Sequence, residues 1–475
     1  MRFCSVMAVL AMAALAQGTR PESIDAYIAR EMQARRIPGV AVAVVERGAV
    51  TFKKAYGVAN LETDTPVRTN SVFQLASLTK QFTAAAVMML VEEGKVKLDA
   101  PISSYIENTP ASWSSVTVRN LLTHTGGITP GAIVRVDGTP LIDITAARAL
   151  DFVSKPPLMF RPGEGAFYSD TGYFLLGLVI QKASGHAYRD FMQTRIFDAL
   201  RMTDSTMLDK WKVVRNSVPV YTIHDGRISH WRRDWQYEVN AFAGVCSTVE
   251  DLARWIAAFR GESLLKKTSI EQMWTPARLS NGQDALVTGD AYGFGWMLSG
   301  YRGHRVVQHA GASGTFLLHF PDDDLSVIVL TNLDGPSGSR PASLARGIAG
   351  YTRDEFRPPE TLEPRPDPAP ETTRMLRDLL SDLGGGKESS ILTVEHQAFF
   401  KRLPPEERSD VTDLFQSVRS LTFIAADVSS PGVRRLSQPV SRICYYRGEV
   451  AGKTFYFTFW LTAEGKVAYL NFYPV

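Results

Sequence analysis

Apolar and polar positions along the first part of the chain follow patterns that predict one helix and two strands. Apolar residues recur at helical spacing over Ile24–Arg36. The continuous apolar run Gly39–Val45 is typical of a buried strand, and the Arg47-Gly48 turn leads into a second strand at Ala49–Tyr56. We therefore predict a helix followed by a pair of neighbouring strands.

A long helix and a group of strands follow. The alanine-rich apolar run Ser71–Glu93 predicts a helix that ends at Gly94, and further helical segments extend to about residue 200. Because strands lie at both ends of this region and helices in its middle, we predict one antiparallel sheet built from both halves and flanked by helices, an α/β (α+β) fold. The strands after the helices are predicted at Tyr292–Trp296, Arg305–His309, Thr315–Phe320 and Leu325–Leu330.

The last quarter of the chain has a different pattern. Residues 356–371 are rich in proline and charge, which is typical of a stiff, solvated linker. Residues 372–475 beyond it are predicted to form a separate small α+β domain. Its helices are expected near Thr372–Leu383 and Pro405–Leu421, and its clearest strands at Lys453–Leu461 and Lys466–Tyr473.

Composition indicates a globular protein of two or three domains, at about 150 residues per domain. The chain has 475 residues, of which 45% are hydrophobic and 21% charged. The net charge of +3 is small and no basic stripe carries aromatic residues, so nucleic-acid binding is not expected. No zinc-site spacing and no glycine-rich phosphate loop occur, so we predict neither metal nor cofactor. Cys246 and Cys444 are the cysteines beyond the start of the chain, and the sequence leaves open whether they pair.

The first residues predict a signal peptide over residues 1–16. Arg2 supplies a positive charge, Val6–Leu15 is apolar, and Ala14-Leu15-Ala16 provides small residues for cleavage. The apolar run is shorter than the ~20 residues that a membrane span requires, so we expect no transmembrane span. The alternative is a buried N-terminal helix. We expect export to the periplasm or the extracellular space.

Two Ser-x-x-Lys motifs are present, one from Ser77 to Lys80 and one from Ser263 to Lys266. Ser77 and Lys80 lie one turn apart at the start of a predicted helix, so the amine can reach the hydroxyl and take its proton. The helix N-terminus also offers the Ser77 backbone N–H to a developing oxyanion. Lys266 lies in a charged run that is typical of a solvated surface. We therefore predict Ser77 as a nucleophile, the alternative being a helix cap beside a solvated lysine.

Several short motifs in one order resemble the serine β-lactamase and penicillin-binding protein superfamily, in its class C-like branch of esterases, D-aminopeptidases and DD-peptidases. The resemblance extends over about Pro21–Thr352 and implies a β-lactamase-like hydrolase domain over residues 20–355, with an antiparallel sheet and a helical subdomain. The motifs are Ile37-Pro38-Gly39-Val40, Phe73 to Thr83, Leu98-Asp99-Ala100-Pro101, Val116 to Gly127, and Ser247 to Ala253.

The resemblance implies a second motif, Tyr-x-Asn, at Tyr168-Ser169-Asp170. Tyr168 would lie near the Ser77 hydroxyl, share general-base work with Lys80 and protonate the leaving group; a buried aromatic residue is the alternative. Asp170 departs from the motif, because an ionised carboxylate only accepts hydrogen bonds and raises the pKa of a neighbouring lysine. Asp170 is expected either to act there in substrate binding or to cap the helix that follows.

The resemblance implies a third motif at His309-Ala310-Gly311, on an edge of the sheet. The backbone N–H of Ala312 would complete the oxyanion hole with that of Ser77, and Gly311 would let a substrate lie close to the strand. His309 would contact a substrate or complete the proton network, with a histidine packed under a loop as the alternative. His124 is expected to support the site structurally.

Together these features predict an exported serine hydrolase that forms an acyl-enzyme on Ser77, with an ester, amide or D-amino-acid peptide as substrate. One alternative is a penicillin-binding sensor that acylates with little turnover. Another is a structural module in which the terminal domain binds a polymer or a protein partner. The sequence does not identify the oligomeric state.

Overall fold

The computed structural model describes residues 23–129, 145–209, 211–231, 238–334, 338–429, 433–436 and 438–474. The predicted signal peptide lies outside these residues. The helices are α1 Ile24–Arg35, α2 Thr79–Glu92, α3 Val118–Leu122, α4 Ala146–Val153, α5 Asp170–Ser184, α6 Tyr188–Met192, α7 Val249–Ala257, α8 Lys267–Met273, α9 Pro341–Thr352, α10 Pro370–Gly384, α11 Val394–Arg402 and α12 Pro405–Gln416. No helix among the described residues is long and apolar enough to cross a membrane.

The described strands form one large sheet, a second sheet near the C-terminus and three small sheets of two or three strands. The strands are β1 Gly39–Glu46, β2 Ala49–Asn60, β3 Thr65–Pro66, β4 Phe73–Gln74, β5 Thr206–Met207, β6 Tyr221–His224, β7 Arg227–His230, β8 Val245–Ser247, β9 Leu286–Val287, β10 Asp290–Tyr292, β11 Met297–Tyr301, β12 His304–Gly311, β13 Thr315–Phe320, β14 Leu325–Thr331, β15 Val418–Val428, β16 Arg434–Arg435, β17 Gln438–Pro439, β18 Arg442–Val450, β19 Lys453–Leu461 and β20 Val467–Pro474.

The large sheet joins the two ends of the first domain, as the sequence predicted. Its strand order is β3-β2-β1-β14-β13-β12-β11-β10-β9, and the pairings between neighbouring strands are antiparallel. β1 lies beside β14, with Val40 opposite Thr331 and Glu46 opposite Leu325. The fold is therefore the β-lactamase-like antiparallel sheet with flanking helices that the resemblance implied.

Two apolar cores cover the two faces of this sheet. On one face Ala41 and Ala43 of β1 pack in the core that contains α2 and α5, and on the other face Val42 and Val44 pack with α1 and α9. Because successive side chains of a strand point to opposite faces, a strand that is covered on both faces has apolar residues at consecutive positions. This explains the apolar run Gly39–Val45.

Helix α2 is the central helix of the first core, and side chains are buried along almost its whole length. It begins at Thr79 rather than near Ser71, because β4 and a short 3-10 helix at Ala76–Leu78 precede it. The predicted strand Tyr292–Trp296 is also wrong. β10 ends at Tyr292, and Gly295 adopts a φ of 81° where the chain turns against α2.

The C-terminal residues form a four-stranded sheet of order β15-β18-β19-β20, with α10 and α12 against it. The proline-rich segment before it, which we expected to be solvated, is partly buried. Phe356 packs in the core between the large sheet and α9, and Pro359 is also buried. The Tyr456 hydroxyl of β19 donates to the Glu360 carbonyl at 2.6 Å. The domain boundaries themselves remain predictions.

A buried ion pair connects the C-terminal sheet to the large sheet. Arg302 Nη1, directly after β11, lies 3.0 Å from Asp427 Oδ1 on β15, and both side chains are mostly buried.

Cys246 and Cys444 are buried free thiols, one in β8 and the other in β18, so the structure answers the question of pairing that the sequence left open.

Candidate active site

Ser77 lies at the turn that leads from β4 into α2. The preceding residue, Ala76, has a φ of 48°, in the left-handed region that non-glycine residues rarely adopt. The chain then makes a 3-10 turn over Ala76–Leu78 and continues as α2. This sharp turn leaves Ser77 partly exposed while Leu75 and Leu78 on either side are buried.

Lys80 lies one turn further and has no exposed side-chain surface. Its Nζ donates to Asp170 Oδ1 at 2.6 Å, to the Phe242 carbonyl at 3.1 Å and to Ser77 Oγ at 3.3 Å. An ammonium group has three protons to donate, and these three acceptors match that number. The predicted contact between Ser77 and Lys80 is therefore present in the structure.

Asp170 favours the charged form of this lysine. Burial is the strongest single influence and lowers the pKa of Lys80, but Asp170 and Tyr168 together outweigh it, so the pKa lies above its ordinary value. This is the direction expected from an aspartate at this position. The prediction that Asp170 caps α5 is wrong, because the Ser169 hydroxyl is the cap and accepts from the Gly172 N–H at 3.1 Å.

Tyr168 lies over the same group of atoms. Lys80 Nζ is 4.6 Å from the centre of its ring. Burial raises the pKa of Tyr168, while the Lys80 charge and hydrogen bonds with Lys80 and Ser77 oppose that rise and Asp170 adds to it. The pKa lies above its ordinary value, so the phenol is neutral near neutral pH.

His309, on β12, faces this site from the sheet side. Its ring centre is 6.2 Å from that of Tyr168, and the residue is 1% exposed. Nδ1 lies 2.8 Å from the Ala310 carbonyl and Nε2 lies 3.0 Å from the Tyr292 hydroxyl. Because burial lowers the pKa of His309 to about 3, the ring is neutral. Both nitrogens are engaged within the protein, which favours the packed alternative over direct contact with a substrate.

The turn after β12 is attached to the residues that precede Ser77. The Ser313 hydroxyl donates to the Gln74 carbonyl at 2.5 Å, and the Thr315 hydroxyl donates to the Leu75 carbonyl at 2.9 Å. A Cβ atom at Gly311 would lie 2.1 Å from the Leu75 carbonyl oxygen, so only glycine fits there. The partly exposed Ala312 is thereby held beside the segment that leads from β4 to Ser77.

The sequence interpretation missed two members of the site. Tyr292 is fully buried and contacts His309, but its sequence neighbours suggested only a strand. The Phe242 carbonyl binds Lys80, and a backbone acceptor carries no residue-type signal.

The other candidate serine, Ser263, precedes α8 and donates to the Ala258 carbonyl at 3.5 Å. Among the described residues, no group of three or more His, Cys, Asp or Glu side chains is placed to hold a metal ion.

Curated relatives match about two thirds of the chain. Penicillin-binding protein 4* of Bacillus subtilis (strain 168) is 29% identical over 323 residues, which cover 61% of this chain and 67% of that protein. Protein flp of Staphylococcus aureus (strain MRSA252) is 24% identical over 325 residues, and the alignment covers 66% of this chain and 63% of the relative. The chain thus aligns with about two thirds of the length of these relatives.

Solved structures share the fold. The octameric penicillin-binding protein homologue from Pyrococcus abyssi has a TM-score of 0.61 and 23% identity, covering 92% of this chain and 96% of that one. EstCE1, described as a hydrolase with promiscuous acyltransferase activity, has a TM-score of 0.60 and 19% identity, covering 70% of this chain and 97% of that one. The sequence model of the Beta-lactamase family matches residues 24–349. The chain therefore belongs to the Beta-lactamase family, whose members include serine hydrolases and penicillin-binding proteins.

Proposed function

We propose that this protein is a serine hydrolase that forms an acyl-enzyme on Ser77. The observation that carries the proposal is the contact of Lys80 Nζ with Ser77 Oγ at 3.3 Å, below the ring of Tyr168. A serine hydroxyl needs a neighbouring group to take its proton before it attacks a carbonyl. Lys80 and Tyr168 are the titratable side chains that contact this hydroxyl.

In the proposed reaction, Ser77 Oγ bonds to the substrate carbonyl carbon while its proton passes to the Lys80–Tyr168 pair. The N–H groups of Ser77 and Ala312 stabilise the negative oxygen, and one such donor contributes about 10²–10³-fold in rate. The same proton then passes to the leaving alcohol or amine as its bond to carbon breaks. Water then attacks the carbonyl carbon of the resulting ester and gives a proton to the pair. The bond between that carbon and Ser77 Oγ breaks as the pair returns the proton to Ser77 Oγ, which releases a carboxylic acid and free Ser77.

The charge state of Lys80 favours esters among the candidate substrates. Asp170 holds Lys80 as a cation, so the basic form of the Lys80–Tyr168 pair is scarce near neutral pH. An alcohol leaves a tetrahedral intermediate with less proton assistance than an amine does, so ester cleavage tolerates a weak acid–base pair better. The likeness to penicillin-binding proteins keeps amides and D-amino-acid peptides in the tested set.

A panel of chromogenic esters, a chromogenic β-lactam and D-alanyl amides tests the proposal. We expect hydrolysis of at least one ester by the wild type and loss of that activity in Ser77→Ala. Ser263→Ala is the matched control, because it removes the serine of the other Ser-x-x-Lys motif and is expected to leave the rate unchanged. Full activity of folded Ser77→Ala would overturn the proposal.

A second candidate is a sensor that acylates and then turns over slowly. The Lys80–Asp170 ion pair favours it, because the water that releases the acyl group also needs a base. Incubation with a penicillin distinguishes the two functions. A stable adduct of one equivalent without further product would support the sensor, and continued product release would contradict it.

The same proposal includes export from the cytoplasm. It is supported by the charge at Arg2, the apolar run Val6–Leu15 and the small residues that follow. Expression of the full chain with detection of a mature form that lacks residues 1–16 tests it, and an unprocessed chain in the cytoplasm would contradict it.

A further inference from the structure

We propose that His124 is a positioning residue for Tyr168, which it holds through the backbone on both sides of that tyrosine. The inference rests on the proposed function, because it concerns the tyrosine assigned to proton transfer. His124 follows α3 and is 2% exposed, so it has little access to solvent or substrate.

Two hydrogen bonds join His124 to the segment that carries Tyr168. The carbonyl of His124 accepts from the Phe167 N–H at 3.0 Å. Its Nδ1 accepts from the Ser169 N–H at 3.1 Å. The bonded residues are the two sequence neighbours of Tyr168, so one residue fixes the chain immediately before and after it. The imidazole also packs on the tyrosine ring, with 4.5 Å between the ring centres.

The same geometry excludes His124 from acting as the base. Because Nδ1 accepts a hydrogen bond from an amide, it carries no proton, and the proton of the neutral ring is on Nε2. Nε2 has no hydrogen-bond partner among the described residues. Burial and the nearby charge of Lys80 lower the pKa of His124 well below its ordinary value, which agrees with a neutral ring. A ring in this tautomer has no free lone pair for the Ser77 proton.

The backbone at His124 is itself firmly determined. The residue adopts a φ of 60°, in the left-handed region. Thr117 caps α3 in a capping box with Asn120, and the Asn120 amide donates to the Thr125 hydroxyl at 3.0 Å. A left-handed residue held in this way stores backbone strain, and such strain recurs where a structure orients functional groups.

His124 is also linked to Asp170 through Ser169. The N–H of Ser169 donates a hydrogen bond to the imidazole of His124, and the Ser169 side chain caps α5. Asp170 is the first residue of that helix. Asp170 in turn binds Lys80 at 2.6 Å. His124 therefore orients both Tyr168 and the start of α5, where Asp170 binds Lys80.

Substitutions at this position and a double-mutant cycle test the inference. His124→Gly suits the left-handed backbone but removes the acceptor and the ring, and we expect kcat for an ester to fall about 10²-fold with little change in KM. His124→Asn also suits this backbone and keeps an acceptor oxygen, so we expect it to retain at least about a tenth of the wild-type kcat.

In a Tyr168→Phe background the His124→Gly substitution should lower kcat much less than in the wild type, because the hydroxyl that His124 positions is already absent. His124→Asn, which also suits the left-handed backbone, replaces the glycine variant in this cycle if that variant does not fold. His186→Gly, at an exposed histidine, is the control and should be silent.

Three results would overturn the inference. The first is a folded His124→Gly protein whose kcat stays within about twofold of the wild type, and the second is full additivity with Tyr168→Phe. The third is loss of one limb of the pH–rate profile in His124→Asn, because this would indicate that His124 acts as a base. A failure of the proposed function is distinguishable, because Ser77→Ala would then keep activity whatever happens at His124.

Discussion

Substitution of Asp170 by asparagine tests the electrostatic role of this departure from the family motif. In the wild type, Lys80 Nζ lies 2.6 Å from Asp170 Oδ1, and the exposed fractions of the two side chains are 0% and 29%. At an effective dielectric constant of about 20, two unit charges at this distance attract by roughly 6 kcal/mol. Solvent at the exposed part of Asp170 reduces this, so the figure is an upper bound.

The asparagine side chain keeps part of this interaction. Its carbonyl oxygen can still accept a hydrogen bond from the ammonium, which contributes about 1.5–3 kcal/mol. Roughly 3 kcal/mol of the preference for the charged lysine is then lost. Since a tenfold change corresponds to about 1.4 kcal/mol, the neutral fraction of Lys80 should rise by up to about 10²-fold.

The direction of the pH dependence follows from the same contacts. The pKa values of Lys80 and Tyr168 both lie above their ordinary values, so the basic form of the pair accumulates only as the pH rises. We expect the wild-type acylation rate to increase with pH through the alkaline range. Asp170→Asn lowers the pKa of Lys80, so the increase should begin at lower pH and the rate near neutral pH should be higher.

Stopped-flow measurement of acylation by a chromogenic ester, across neutral and alkaline pH, is the assay. Asp190→Asn is the matched control, because Asp190 lies in the first turn of α6, is exposed and should not change the profile. A folded Asp170→Asn protein with an unchanged or lower rate, and with the same pH profile, would refute the reasoning.

Three further predictions concern packing and covalent state. In Gly311→Ala, the added Cβ would lie 2.1 Å from a backbone carbonyl oxygen and would displace the neighbouring turn. Because this turn holds the proposed oxyanion donor, the Ala312 N–H, we expect the rate of ester hydrolysis to fall at least about tenfold. An unchanged rate would contradict this contact. Asp427→Ala leaves Arg302 unpaired in a mostly buried position and should lower the free energy of unfolding by about 3–5 kcal/mol in urea titrations, whereas Arg302→Met with Asp427→Leu should cost much less. Cys246 and Cys444 should react with a thiol reagent only after unfolding, since both are buried and burial raises the pKa of Cys246 to about 12; rapid labelling of the folded protein would contradict this.

The sequence predicted elements whose pattern is set locally. Continuous apolar residues in Gly39–Val45 became a strand covered on both faces, and Lys453–Leu461 became β19 with the same bounds. The contact of Ser77 with Lys80 was predictable because their spacing on a helix fixes it. The position of Tyr168 over this pair was implied by family resemblance, because no local pattern joins residues so far apart in the sequence.

Contacts that depend on tertiary packing were missed. Asp170 appeared equally suited to capping a helix, and only the structure shows that Ser169 takes that role while Asp170 binds Lys80. The proline-rich segment has the composition of a solvated linker, yet Phe356 within it is buried. Tyr292 appeared to begin a strand, whereas it ends one and its hydroxyl contacts a buried histidine. In each case the deciding partner comes from a distant part of the chain.

Intact-mass analysis after reaction with a fluorophosphonate ester tests directly whether Ser77 is the nucleophile, because this reagent phosphonylates an activated serine with loss of fluoride. Peptide mapping of the product locates the modified residue, and Ser77→Ala and Ser263→Ala are treated in parallel. We expect one adduct at Ser77 in the wild type and in Ser263→Ala, and none in Ser77→Ala. An adduct on folded Ser77→Ala, or a wild-type protein labelled elsewhere or not at all, would contradict this expectation.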